Sequence, residues 1–462
     1  MTALARQTAV ENTPITRARL DTLLRIPSIS TLPNHAEDVR RAARWIVDWM
    51  TEMGMTRAEL HESSGRLPLV YGEWLGAGAH APTVLIYTHY DVQPAEKSDG
   101  WATEPFEPTE INGKLYARGA VDSKCHVVIQ LVAVESMLKH GRAPVNIKML
   151  CEGEEESGSE HIYEFVAQNA DLLKADVCVI SDGSLPNEYQ PVLDYGLRGI
   201  VSLEIHVRGP KRDLHSGHYG GSVHNPVQAL SEIIAGLHAP DGSVYVPRFY
   251  DQVEPLTDEE REVLLPMRAP FDEEWRDVTG APAPWGEADY SLHERISVRP
   301  TLEINGMYGG YLGEGVKTVL PATAVAKLSC RLVPYQTPDH IWACVSEYIH
   351  HLTPPSVTVE VIRMEMGAEA FIIDRTSPAL KAVTTAYERG WGIKPLLSRE
   401  GGSVPVTAEF KKYLGAELVL MPFGYKNGGA HSVNESCDLG MVDKGIQTML
   451  HFYEVMATSH GA

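Results

Sequence analysis

Runs of apolar residues that end abruptly in polar ones recur along this chain. Residues 37–54 (EDVRRAARWIVDWMTEMG) place apolar side chains at helical spacing and predict an amphipathic helix ended by Gly54. PTVLIYTH (82–89) is a short apolar run that turns polar at once, which predicts a buried strand with His89 at its C-terminal end. Residues 124–139 predict a second helix. VNIKMLCEGEEESG (145–158) predicts a strand feeding a glutamate-rich loop, and residues 159–173 another helix. ADVCVISDG (175–183) repeats the strand-to-polar-loop pattern. Strands alternating with helices predict a three-layer α/β domain around a mainly parallel sheet. In such sheets chemistry collects beyond the carboxyl ends of the strands.

The pattern changes near residue 198. RGIVSLEIHVRG (198–209) alternates as a half-buried strand does, and HNPVQALSEIIAGLH (224–238) predicts a helix that starts after Asn225, with Pro226 at its first position. A turn-rich, acidic stretch is expected over 239–295. AVAKLSCRLVP (324–334) and SVTVEVIRME (356–365) predict strands flanking a helix that starts after Pro338. Residues 377–390, 407–415 and 416–424 return to the first rhythm, and a last helix is expected from Asn434–Glu435. The fold expected is therefore α/β interrupted by an α+β block.

Composition narrows the function classes. The chain has 462 residues, 44 % hydrophobic and 22 % charged, which is ordinary for a globular protein. Its 40 Lys and Arg against 61 Asp and Glu leave a formal charge of −21, which argues against a nucleic-acid partner. No apolar run is long enough for a membrane span, and the N-terminus lacks a signal-peptide pattern. The six cysteines form no CxxC pair and are expected as reduced core residues, so a cytoplasmic location is expected.

The polar residues at the strand ends form the candidate chemistry. His89 and Asp91 stand at i and i+2, where an extended chain points both to one side, so the carboxylate can orient the imidazole. Asp122 precedes a helix and is either a cap or a carboxylate able to bridge two cations. Glu152, Glu154, Glu155 and Glu156 are either a solvated charge run or neighbours with divided labour, one ligating a metal and one moving a proton. Asp182 ends another apolar run, and His431 follows a glycine-rich turn. A mixed set of histidines and carboxylates suits Zn²⁺, Co²⁺ or Mn²⁺ better than Ca²⁺. Cys125 beside His126 raises a thiol enzyme, but nothing nearby marks a lowered thiol pKa. The glycine-rich GYKNGG and YGGYLGEG match no phosphate-binding loop.

Ten segments together resemble the dinuclear-metal M20 peptidase family, in its carnosine and Cys-Gly dipeptidase-like branch. They are THYDVQP (88–94), ARGAVDSK (117–124), EGEEESGSE (152–160), ISDG (180–183), YGLRG (195–199), DLHSGHYGG (213–221), RPTLEINGMYGG (299–310), KTVLPATAVAKLSCRLVPYQTP (317–338), SREGGSVPV (398–406) and HSVNE (431–435). The resemblance implies one metal on His89, Asp122 and Asp182 and a second on Asp122, Glu156 and His431, with Asp122 bridging. It implies Glu155 as general base, Asp91 as the group that orients His89, and a cis peptide after Asp122. The metals implied are two divalent ions per subunit, Zn²⁺ first, with Mn²⁺ or Co²⁺ as alternatives. His215 matches a lid histidine that enters the partner subunit's site in a homodimer, and Arg331, Ser403 and Thr318 match substrate-binding positions. Ser123 stands where many relatives have a second Asp, and Cys125–His126 where many have a small residue.

The domains implied are a catalytic α/β part over 1–197 and 386–462 and an inserted lid and dimerisation domain over 198–385. The activity implied is hydrolysis of the peptide bond of short peptides. The alternatives are an N-acyl-amino-acid deacylase or carboxypeptidase of the same family, and a noncatalytic metal-binding structural or regulatory dimer.

Overall fold

The computed structural model describes residues 2–402 and 405–459. The chain divides into two compact units. The first comprises 1–195, 373–397 and 409–462, and the second 196–372 and 398–408. The expected boundary at 385/386 is displaced. The chain rejoins the first unit at Ile373, because the helix α9 (Pro378–Trp391) packs Ala382, Val383 and Ala386 into that unit's core. Residues 398–408, expected in the α/β part, group with the second unit.

In the first unit, helices α1 (Thr2–Glu11) and α2 (Thr13–Leu24) precede α3 (Ala36–Glu52), which buries Val39, Ala42, Ala43 and Ile46 on one face. Then come β1 (Arg57–His61), β2 (Leu69–Trp74), β3 (Thr83–His89), α4 (Lys124–Leu138), β4 (Asn146–Glu152), α5 (Glu160–Gln168) and β5 (Val177–Ile180). After the insertion, β12 (Glu417–Leu420), β13 (Ser436–Asp438) and α10 (Leu439–Ser459) complete the unit. The six-stranded sheet runs β1-β2-β4-β3-β5-β12. The β4–β3, β3–β5 and β5–β12 pairs are parallel, and the β1–β2 and β2–β4 pairs antiparallel.

Continuous apolar strands belong in a sheet covered on both faces. Val84 and Ile86 of β3 pack with Ile147 and Met149 of β4 and with Val127, Val128 and Leu131 of α4. On the other face Tyr87 meets Phe410 edge-on at 5.6 Å, and the Lys148 ammonium donates to the Leu172 and Lys174 carbonyls. The parallel register sets His89 beside Glu152, so adjacent strands deliver their polar ends to one edge.

The second unit holds a four-stranded antiparallel sheet. Its elements in chain order are β6 (Gly199–Arg208), β7 (Leu214–His215), α6 (Pro226–Ala235), α7 (Asp258–Thr279), β8 (Thr301–Gly309), β9 (Val319–Leu320), β10 (Thr323–Leu332), α8 (Pro338–Leu352) and β11 (Thr358–Ala368). The sheet order is β8-β10-β6-β11, with β7 and β9 paired separately. Alternate residues Val201, Leu203, Ile205 and Val207 of β6 pack on Ala229 and Ile233 of α6 and Ile341 and Val345 of α8. Asn225 caps α6 through its side chain, and Pro226 opens it.

Two local expectations fail. Inside the stretch expected to be turn-rich lies α7, 22 residues long. Pro266 and Pro270 within it hide the helical signal, yet Thr257 caps it by accepting from the Glu260 N–H, and Asp258, Glu259 and Glu260 favour its N-terminus. The last helix starts at Leu439 rather than at Asn434–Glu435, because Ser436–Asp438 pairs as a strand with Lys114–Tyr116. All six cysteines are buried and unbridged. Among the described residues no helix is long and apolar enough to cross a membrane.

Candidate metal centre

The carboxyl end of the first unit's sheet gathers the polar strand termini. β3 ends in His89, β5 runs through Ser181 into Asp182, and β4 runs out into a short turn carrying Glu155 and Glu156. Asp122 stands in the turn just before α4, and its bond to Ser123 is cis. His431 lies in the loop before β13 in the left-handed backbone region, φ 59°.

These side chains form two triads of possible ligand atoms, His89–Asp122–Asp182 and Asp122–Glu156–His431. Asp122 is common to both and divides its oxygens between them. Its Oδ1 lies 3.1 Å from His89 Nε2, and its Oδ2 lies 3.0 Å from His431 Nε2. His89 Nε2 is 3.7 Å from an Asp182 oxygen, and His431 Nε2 is 3.1 Å from Glu156 Oε2.

The donor chemistry fits divalent cations. His89 Nδ1 faces the Asp91 backbone oxygen at 3.2 Å and the Asp91 carboxylate at 3.4 Å. A hydrogen on Nδ1 turns the bare Nε2 lone pair toward the carboxylates of Asp122 and Asp182. Acceptors facing acceptors in a buried place require a cation between them, a proton or a metal ion. The His89 position is sealed in this way, and the second position shares Asp122 but opens to solvent at His431.

The electrostatics agree. Burial opposes charge on Asp122, yet the hydrogen bonds with His431 and His89 hold its carboxyl far below the usual range. Burial also opposes the Asp182 charge, but His89 lowers that carboxyl. Hydrogen bonds to Asp122 and Glu156 push His431 up to about 10. Glu155 moves the other way. Burial raises it to about 8, against the His89 charge and with help from Asp182, Asp91 and Glu156. A carboxyl in that range can both take and give a proton near neutral pH.

The run of glutamates divides by environment. Glu152 is fully buried and accepts from the Tyr87 hydroxyl at 2.6 Å. Glu154 accepts from the Leu67 and His161 N–H groups. Glu155 and Glu156 remain, and Asp91 accepts from both their backbone N–H groups, at 3.2 and 3.0 Å. Asp91 thus ties the glutamate turn to the His89 strand in addition to facing the imidazole.

The sequence reading left several supports unassigned. Gln93 donates to Glu156 at 2.7 Å. Glu435 holds the Asp122 turn through Arg118 and backbone N–H groups. The buried Lys124 ammonium, pushed down to about 7 by burial, donates to the Leu23 and Ile26 carbonyls. Gln93, Arg118, Lys124 and Glu435 all lie inside the quoted motifs, so position beside a ligand was the available signal. His126 Nε2 accepts from the Phe423 N–H, which puts its hydrogen on Nδ1, 3.0 Å from Ser123 Oγ. The Cys125 thiol is pushed well up by burial, contrary to what a nucleophilic thiol needs.

His215, Thr318 and Arg331 belong to the second unit. His215 is exposed on β7, and its Nδ1 accepts from the Gly217 N–H at 3.0 Å. Thr318 lies beside it, since its carbonyl accepts from the Ser216 N–H and Val319 pairs with His215. Arg331 lies near the far end of β10, opposite Ile200 and Thr301. The neighbouring Arg198 is buried and donates to the Gly401 carbonyl at 3.0 Å. Burial, and then the Arg331 charge, push Arg198 down to about 10. Ser403 lies outside the described residues.

Known proteins resemble the whole chain. Residues 85–455 match peptidase family M20/M25/M40. A Cys-Gly metallodipeptidase of Candida albicans is 34 % identical over 459 residues, covering 94 % of both chains. The human Beta-Ala-His dipeptidase is 30 % identical over 447 residues, covering 94 % of this chain and 88 % of the relative. Among solved structures, human carnosine dipeptidase 1 superposes with a TM-score of 0.79 at 28 % identity, over 99 % of each chain. An M20 family metallo-carboxypeptidase from Sulfolobus solfataricus gives a TM-score of 0.82 at 29 % identity, over 96 % of this chain and 99 % of that one.

Proposed function

The chain belongs to peptidase family M20/M25/M40, and we propose that it is a dipeptidase whose centre holds two divalent cations. The observation that carries this reading is the divided Asp122 carboxylate, one oxygen toward each triad. His89, Asp122 and Asp182 would hold one ion, and Asp122, Glu156 and His431 the other. The donor set favours Zn²⁺, with Mn²⁺ and Co²⁺ as alternatives. When bound, such ions would lower the pKa of a nearby water and offset negative charge growing on the scissile carbonyl.

The protein's own groups then act around that water. Glu155 takes the proton as attack begins and returns it to the departing amine, which its raised pKa suits. Asp91 holds the Glu155 turn and the His89 ring in register. Arg331 grips the substrate carboxylate, with Ser403 and Thr318 adding hydrogen bonds. His215 stabilises the oxyanion.

His215 would act in a partner subunit of a homodimer. β10 separates Thr323, which follows the β7–β9 strand pair carrying His215 and Thr318, from Arg331 by eight residues, or roughly 26 Å of strand. A dipeptide backbone spans only about 7 Å. Within one chain, groups at opposite ends of that strand serve different substrates. A pair of chains, each lending its His215 to the other, would give each site both.

The test uses metal-stripped protein reloaded with Zn²⁺ or Mn²⁺. Initial rates are measured on Cys-Gly and β-Ala-His and on their N-acetylated forms. Fast cleavage of free dipeptides with slow cleavage of acetylated ones is expected. The reverse preference favours the carboxypeptidase or deacylase reading, for which the Sulfolobus likeness is the specific support. Absence of cation-dependent hydrolysis on either series leaves the noncatalytic reading.

A further inference from the structure

Glu435 has no exposed surface, and its carboxylate is saturated by four donors. Oε2 accepts from Arg118 Nη1 at 2.7 Å and the Gly119 N–H at 2.9 Å. Oε1 accepts from the Val121 N–H at 2.9 Å and the Asp122 N–H at 3.1 Å. Three backbone contacts, from Gly119, Val121 and Asp122, thus fall on the turn that carries Asp122. The backbone adds to them, because the Ala117 N–H donates to the Glu435 carbonyl at 3.0 Å.

Glu435 also belongs to the loop that carries His431, four residues earlier. Asn434 Oδ1 accepts from the Ala102 N–H at 2.7 Å, and Ser436 pairs with Tyr116. Loops 313 positions apart in sequence are therefore joined through one carboxylate. Only a group with acceptors on both sides can do this. A carboxamide of the same shape turns an NH₂ toward two of the donors and leaves them unpaired in a buried place.

We propose that Glu435 is a positioning residue for both cation positions, holding the Asp122 turn and the His431 loop in one geometry. The proposal rests on the two-cation reading above. It separates Glu435 from a direct ligand in a measurable way. His431 stands in one triad, so its loss affects one ion. Glu435 sets the shared Asp122 and the His431 loop, so its loss weakens both.

The experiment titrates Co²⁺ into the metal-stripped full chain against a competing chelator and reads both dissociation constants and the visible absorption of each site. His431→Ala is expected to lose one ion and keep the other. Glu435→Gln is expected to weaken both ions, each by roughly 10–100-fold. A residue important only for folding would lower the unfolding midpoint of the stripped protein and leave both constants unchanged, and that result overturns the proposal. If His431→Ala retains both ions with unaltered constants, the two-cation reading fails instead.

Glu435→Gln strands the buried Arg118 charge, so it is paired with Arg118→Met/Glu435→Gln, which removes both charges together. The double variant is expected to weaken both ions as well, and unchanged constants overturn the proposal. Amide hydrogen exchange on the unaltered, metal-stripped protein needs no variant. Gly119, Val121 and Asp122 are expected to stay protected without cations, since Glu435 holds them. Exchange at solvent rates at all three overturns the proposal.

Discussion

His89 and His215 sit in opposite settings. His89 is sealed at a strand end, with Asp91 on one ring nitrogen and Asp122 and Asp182 on the other. His215 is exposed on a two-residue strand, bonded to the nearby Gly217 N–H and stacked on His218 at 4.5 Å. In the first unit His89, Glu156 and Asp182 follow parallel strands and Asp122 sits in a turn held by buried hydrogen bonds, while His431 is exposed on its loop. In the second unit Arg331 lies near one end of β10, whereas His215 lies on β7, whose partner β9 precedes the other end of β10. On the proposed reading, holding cations needs one unit only, whereas holding a substrate needs groups gathered from elsewhere. The two regions should fail differently when damaged.

The largest effect is expected in the first unit. Glu155→Ala should lower kcat by roughly 10²–10⁴-fold with both cations retained, as turnover and metal content measured on one sample would show. Near-normal turnover removes Glu155 from the proton-transfer role. His215→Ala should cost roughly 10²–10³-fold, also without loss of cations. Mixed dimers of His215→Ala with Glu155→Ala should recover one working site, because the undamaged groups meet in one of the two. No recovery after demonstrated subunit exchange breaks the crossed arrangement. Arg331→Ala should raise KM by roughly 10–100-fold, the worth of a hydrogen bond to a charged group. Substrates with an amidated C-terminus should show little of that difference, and an equal loss on both would detach Arg331 from the carboxylate.

The smallest effect concerns the stability of stripped protein against pH. Burial pushes Glu152 up to about 8 from 4.5, so the folded chain keeps a proton that the unfolded chain has released. His431, up to about 10 from 6.5 through Asp122 and Glu156, behaves alike. Both contributions are lost as pH rises, Glu152's through 8 and His431's through 10. Lys124, down to about 7 from 10.5, opposes them above pH 7. Stability should therefore fall between pH 6.5 and 8 and flatten above. Cation loading should shrink the slope by replacing the His431 proton. Denaturant midpoints across that range measure it, and a rise from 6.5 to 8 contradicts these assignments.

Much of the first unit was legible because its strands are continuous apolar runs with abrupt polar ends, so His89 and Asp182 stood out as candidates. Glu155 and Glu156 were harder, since four glutamates in one short stretch look alike until burial gives Glu152 to Tyr87 and Glu154 to Leu67. Glu435 was read as the start of a helix because an acid before an apolar run resembles a cap. Its carboxylate instead serves a turn 313 positions away, which no local pattern reveals. The helix α7 was hidden by Pro266 and Pro270, which carry the strongest local signal against a helix. The exposed settings of His215 and Thr318 leave no periodic trace, and their proposed roles rest on the family resemblance alone.

The central claim is that one unit holds two cations around Asp122 while Glu155 moves the proton. Its most direct test is a cation titration of Glu155→Ala beside the unaltered protein, with dipeptide hydrolysis followed in the same samples. Two ions per chain are expected in both proteins, with hydrolysis that grows with loading only where Glu155 is present. A variant that binds two ions and still turns over normally, or an unaltered protein fully active with one ion, would contradict it.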